Sequence, residues 1–160
     1  NTEYWQYLLL ENLISRPYQV NNYLFIKDGN INRLLIDNGV IANPGVSEFL
    51  EKSSFDKATK DLLKDFDFYT LDTFSVYPSP DSVNFQGKIY LLVDDLVYSA
   101  AEAFASSCKE SGLATLVGTR TAGDGLGYDP LIFSLPNTGF AMRYSETMGV
   151  TESGSINERD

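Results

Sequence analysis

Apolar residues in the first fifteen positions recur at helical spacing. Tyr4, Trp5, Leu8, Leu9 and Leu13 share one face, which predicts a helix capped by Thr2, running to about Ser15 and closed by Pro17. YLFIK and INRLLI flank Asp28-Gly29-Asn30, the signature of a hairpin turned by a glycine. Residues 46–65 read as helix in two pieces, broken near Ser53 and Ser54. FDFYTLDTFSV then alternates as a strand does, and Pro78 and Pro80 close it. KIYLLVD is a short continuous apolar run, of the kind that suits a strand buried on both faces of a parallel sheet. A helix over about 100–111 follows, with Gly112 as its stop, and ATLVG is a second short strand. Strand–helix–strand with brief links predicts a right-handed parallel crossover. TAGDGLG reads as a glycine-rich loop, LIFSL and FAMRYSE as a hairpin around Pro136-Asn137-Thr138-Gly139, and TESGSINERD as a polar tail. The expected fold is α/β, a partly parallel sheet flanked by helices.

Composition narrows the chemistry. With 160 residues, 43% of them hydrophobic, the chain is read as one domain able to bury a real core. Its net charge of −10 disfavours nucleic acid and anionic membranes as partners. No apolar run approaches the roughly 18 residues of a membrane span. The single cysteine, Cys108, offers neither an intrachain disulfide nor a metal spacing and is read as packing. No cofactor is called for. The decisive count is zero histidine. A complete Ser-His-Asp triad or a His-ligated metal would need a residue from outside the chain.

The residue that calls for chemistry is Ser99, set between a buried strand and a helix rich in alanine. Ser99-Ala100-Ala101-Glu102 is a capping box: a serine that caps the helix, answered by a glutamate three residues on. The same position suits a nucleophile. It lies beyond the carboxyl end of a strand, where open α/β sheets build their sites. The helix N-terminus beside it favours negative charge, and the Ala100 N–H could receive an oxyanion. The residue pattern leaves both readings open.

The run VDDLVYSAAEAFASSCKESGLATLVGTRTAGDG, with Leu135-Pro136-Asn137-Thr138-Gly139 downstream, resembles the core of the carboxy-terminal processing (tail-specific) serine peptidases. The matching elements are Ser99–Glu102, Gly112–Gly118, Thr121–Gly123 and the Leu-Pro hairpin. The best-matched core is 87–160, and 17–80 reads as a less regular inserted or attached element. The resemblance implies a crotonase/ClpP-like spiral core, a peptide or protein substrate, and an extracellular or envelope setting. It places the nucleophile on Ser99 and the oxyanion N–H on Ala100. Gly123, Asp124 and Gly125 fall in the substrate-binding loop. One branch of the family draws a lysine base from this loop. Here that position is Asp124, which cannot replace a desolvated lysine. The sequence therefore sits closer to the tricorn-like branch, whose base is a histidine from an upstream segment. A late glutamate that supports that histidine falls on Glu158. A helix beginning almost at residue 1 agrees with the chain being a C-terminal part of the catalytic domain, whose N-terminal part would supply the base. Self-association is left open.

Other features have plainer readings. GDGLG precedes a strand rather than opening a helix, so it is not a dinucleotide fingerprint. Asp94 and Asp95 read as a solvated loop. Arg120 and Arg143 suit a peptide carboxylate or surface ion pairs equally. Two further classes share this pattern: a non-catalytic ligand- or peptide-binding module on the same fold, and an acyl-CoA enzyme. The Ser-x-x-Glu junction and the lack of a basic nucleotide patch argue against the second.

Overall fold

The computed structural model describes residues 2–39 and 42–156. In chain order the elements are α1 (Thr2–Leu13), β1 (Tyr18–Ile26), α2 (Asn30–Asp37), β2 (Asn43–Pro44), α3 (Val46–Lys52), α4 (Lys57–Leu63), β3 (Phe68–Val76), β4 (Tyr90–Val93), α5 (Ala100–Glu110), β5 (Thr115–Gly118), β6 (Leu131–Ser134), β7 (Ala141–Tyr144) and β8 (Thr147–Thr151). The fold is α/β. An antiparallel sheet ordered β2-β3-β1-β8 forms its centre, with a parallel β4-β5 pair and a β6-β7 hairpin beside it.

The strands alternate, so the central sheet has two working faces. Tyr23 and Phe25 point to one, where Val46, Leu50, Phe55 and Leu63 from α3, α4 and their link close a core with Val150 and Ile156. Phe25 is fully buried and meets Phe49 and Phe66 edge-on at centroid distances of 5.9 and 6.0 Å. Such contacts add to the ~1.5–3 kcal/mol of burying one large apolar side chain. A second core seats Leu10 of α1, Ile14 just beyond it and Cys108 of α5 on Val76, with Leu91 of β4 packed against it. Helix α5 is thereby held between the sheet and the β4-β5 pair.

Three sequence expectations are revised. INRLLI is not the return strand of a hairpin but lies in α2. Gly29 is extended at φ 163°, not in the positive-φ region a tight hairpin needs. The Arg33 guanidinium instead forks onto Asp28, Nε to Oδ1 at 2.8 Å and Nη2 to Oδ2 at 2.7 Å, and β1 takes its partners from β3 and β8. Second, β4 and β5 are covered on one face only. Tyr90 is 58% exposed and Leu92 77% exposed, because the sheet has two strands and α5 packs on one side. Third, the polar tail is not wholly surface. β8 precedes it, and Thr151 and Ile156 are buried. Hydrogen bonding of Thr151 Oγ1 within its own turn, to Ser153 Oγ and the Ser155 N–H, lets a polar residue sit inside. Among the described residues, no helix is long and apolar enough to cross a membrane.

Candidate active site

β4 ends at Val93, and the chain turns at once. Asp94 Oδ1 accepts the Leu96 N–H at 3.0 Å, so this carboxylate shapes the loop. Among the described residues no three His, Cys, Asp or Glu side chains are grouped to hold a metal. Beyond the turn the chain runs beside the glycine-rich loop. Ala122 N–H donates to Val97 O at 2.8 Å, Ser99 N–H donates to Gly123 O at 3.0 Å, and Tyr98 forms a parallel bridge with Gly123.

Ser99 sits at φ 57°, ψ −124°, a positive-φ conformation that costs a serine about 1–3 kcal/mol. This overturns the capping box. A serine caps through its side chain from the β region, and Ser99 makes no side-chain capping bond. Its would-be partner is unpaired too: Glu102 Oε2 is buried without a hydrogen bond. The backbone instead makes a sharp turn, with Ala101 N–H donating to Tyr98 O at 3.2 Å. A strained strand-to-helix turn is how α/β hydrolases present a nucleophilic oxygen. The Ala100 N–H opens α5 and makes no hydrogen bond among the described residues. It is therefore available to an anion at the positive end of the helix.

Ser99, Ala100, Asp124 and Gly125 line one cleft of about 280 Å³ with Tyr128, Asp129 and Arg143. Gly123 lies beneath it, buried. Asp124 has φ 62°, which turns the loop over the start of α5. The loop touches the helix so closely that a Cβ on Gly125 would stand 2.5 Å from the Ala103 nitrogen and from Glu102 Cγ. Arg143 is in polar contact with the Tyr98 hydroxyl, which, with the charges of Asp124 and Asp129, holds its proton more tightly than usual. It is the only basic residue among those lining the cleft, and a guanidinium cannot serve as a base. Glu158 lies outside the described residues. Arg120 is on the other side of α5, at a larger cavity of about 420 Å³ that does not include Ser99. Burial pushes the Cys108 thiol up to about 11, which leaves it an inert packing group.

Of this wall, sequence reasoning singled out Arg143 as a partner for a peptide carboxylate and missed Tyr128 and Asp129. These residues reach Ser99 only because the loop at 122–127 doubles back over α5. The motif order alone carries no trace of that path.

A family model, peptidase family S41, matches residues 25–159. The chain belongs to peptidase family S41. No curated protein matches it. Among solved structures, mature CPAF in complex with lactacystin is similar at TM-score 0.60 with 23% identity, covering 95% of this chain and 34% of that one. Mature CPAF itself gives 0.57 and 21% over 96% and 34%. A Parabacteroides merdae protein, whose peptidase assignment is itself an inference, gives 0.59 and 18% over 96% and 38%. These likenesses concern the fold. The chain spans little more than a third of each structure's length.

Proposed function

We propose that this chain carries the nucleophile half of a serine endopeptidase centre. In this reading Ser99 Oγ attacks a peptide carbonyl and forms an acyl-enzyme, and the Ala100 N–H binds the oxyanion. The proton from Oγ goes to a base outside the chain, a histidine of the upstream part of the same protein, as in the tricorn-like branch. That base passes the proton to the leaving amine and then activates the water that releases the acid. Glu158 would orient that histidine. The observation that carries the reading is the strained, uncapped backbone of Ser99 at the mouth of a cleft, beside an amide with no acceptor. Membership of a peptidase family supports it.

Without its base, this chain alone should retain only about 10³–10⁴-fold catalysis over water. The test is labelling of the complete protein with a fluorophosphonate. Modification at Ser99, lost in Ser99→Ala, is the expected result. A folded, unlabelled protein would reject the mechanism.

A second reading, a binding module on the same fold, is favoured by one observation: no side chain able to act as a base toward Ser99, other than carboxylates, lines the cleft. A complete protein without an upstream histidine would support it.

A further inference from the structure

The cleft does not end below Ser99. Ala103, Gly125 and Gly127, which line it, also line a second cavity of about 240 Å³. Its floor belongs to the inner face of the central sheet. Along β1 the residues on that face are Tyr18, Val20, Asn22, Leu24 and Ile26, and Asn22 alone of these carries an amide side chain. Directly opposite, in register on β3, stands Asp72, between Thr70 and the core residue Phe74 on the same face. Asn22 is partly buried and Asp72 exposed, so the pair stands where this face of the sheet opens to the cavity.

The pair presents acceptors. Asn22 Oδ1 is buried and has no hydrogen bond, a state that costs about 1–3 kcal/mol until a donor arrives. Asp72 makes no ion pair among the described residues; it is exposed at its outer edge, and partial desolvation on the cavity side raises its carboxyl from the ordinary value. The nearby Gln6 Nε2 donates to the Ala100 carbonyl, and Asn22 Oδ1 receives no bond from it. Tyr128, on the wall of the Ser99 cleft, is near enough to feel the Asp72 charge. The two cavities share the walls formed by Ala103, Gly125 and Gly127.

We propose that the Asn22–Asp72 cavity is a side-chain subsite of the Ser99 cleft and selects a basic residue, lysine or arginine, next to the scissile bond. This rests on the peptidase reading. A long cationic side chain passing Ala103 and Gly125 brings the two things the floor lacks: a donor for Asn22 Oδ1 and a counter-charge for Asp72.

The experiment measures peptide binding by fluorescence anisotropy on the complete protein carrying Ser99→Ala, which prevents turnover. Three peptides are compared: one with arginine at the test position, one with its neutral isostere citrulline, and one with the arginine moved four residues away. The expected result is at least tenfold tighter binding of the first. Asp72→Asn and Asn22→Leu should each erase that preference, while Asp81→Asn, at an exposed site, should keep it. Equal binding of the three peptides overturns the proposal, as does a preference that survives both cavity variants. The outcome is separable from that of the chemistry. Arginine preference without fluorophosphonate labelling of the wild-type protein sinks hydrolysis and keeps the subsite, and labelling without the preference does the reverse.

Discussion

The backbone N–H of Ser99 is held by the carbonyl of Gly123 at 3.0 Å. This bond fastens a strained residue to a loop that is itself turned by a left-handed aspartate, Asp124 at φ 62°. The strain at Ser99 persists because the surroundings over-determine it, so changes at either partner should be felt at the hydroxyl.

The strain can be measured by removing it. Glycine tolerates positive φ and alanine does not. Ser99→Gly should therefore be more stable than Ser99→Ala by about 1 kcal/mol. Urea denaturation of the two variants decides. Equal midpoints would mean that position 99 relaxes to negative φ.

Gly125 is the point of closest approach between the loop and α5. Gly125→Ala forces a methyl group into the Ala103 nitrogen and Glu102 Cγ, each 2.5 Å away. Backbone must move, at a cost of about 1–3 kcal/mol. Fluorophosphonate labelling of the complete protein should slow at least tenfold, a rate measured by gel fluorescence over time.

Phe25 anchors the core that fixes the central sheet. Phe25→Ala should cost about 3–5 kcal/mol. This is a large part of a typical domain's 5–15 kcal/mol. Calorimetry should show a strongly lowered or lost transition.

Cys108 gives a pH signature. Its thiol ionises near 9.0 when exposed and at about 11 when folded. The folded pKa is raised, so the stabilisation is whole below about 9 and is lost as pH rises toward 11. The difference in denaturation midpoint between wild type and Cys108→Ala should shrink across that interval. A difference independent of pH would contradict the burial of the thiol.

Much of the architecture is legible in the residues because local signals and tertiary packing agree there. The broken helix over 46–65, the β3 alternation, and the crossover of β4, α5 and β5 follow from periodicity and breakers. Where they disagree, packing wins. Asp28-Gly29 reads as a hairpin until Arg33 captures Asp28 and β3 takes the edge of β1. The position of Ser99 was readable from Ser-Ala-Ala-Glu, but the motif suggested a cap. Only the φ and ψ of residue 99 tell the two roles apart, and a loop more than twenty residues downstream imposes them. Asn22 and Asp72 carry no signal of their own in the sequence. Their pairing depends on register, which no local pattern encodes.

The pairing of β1 with β8 has a consequence for biosynthesis. As the polypeptide leaves the ribosome, β1 is made well before β8, the strand that seals one of its edges. Until then that edge offers unpaired N–H and C=O groups beside Leu24 and Phe25, an open invitation to chaperones or to neighbouring nascent chains. Yield in the cell should thus be governed by how fast translation reaches residue 151.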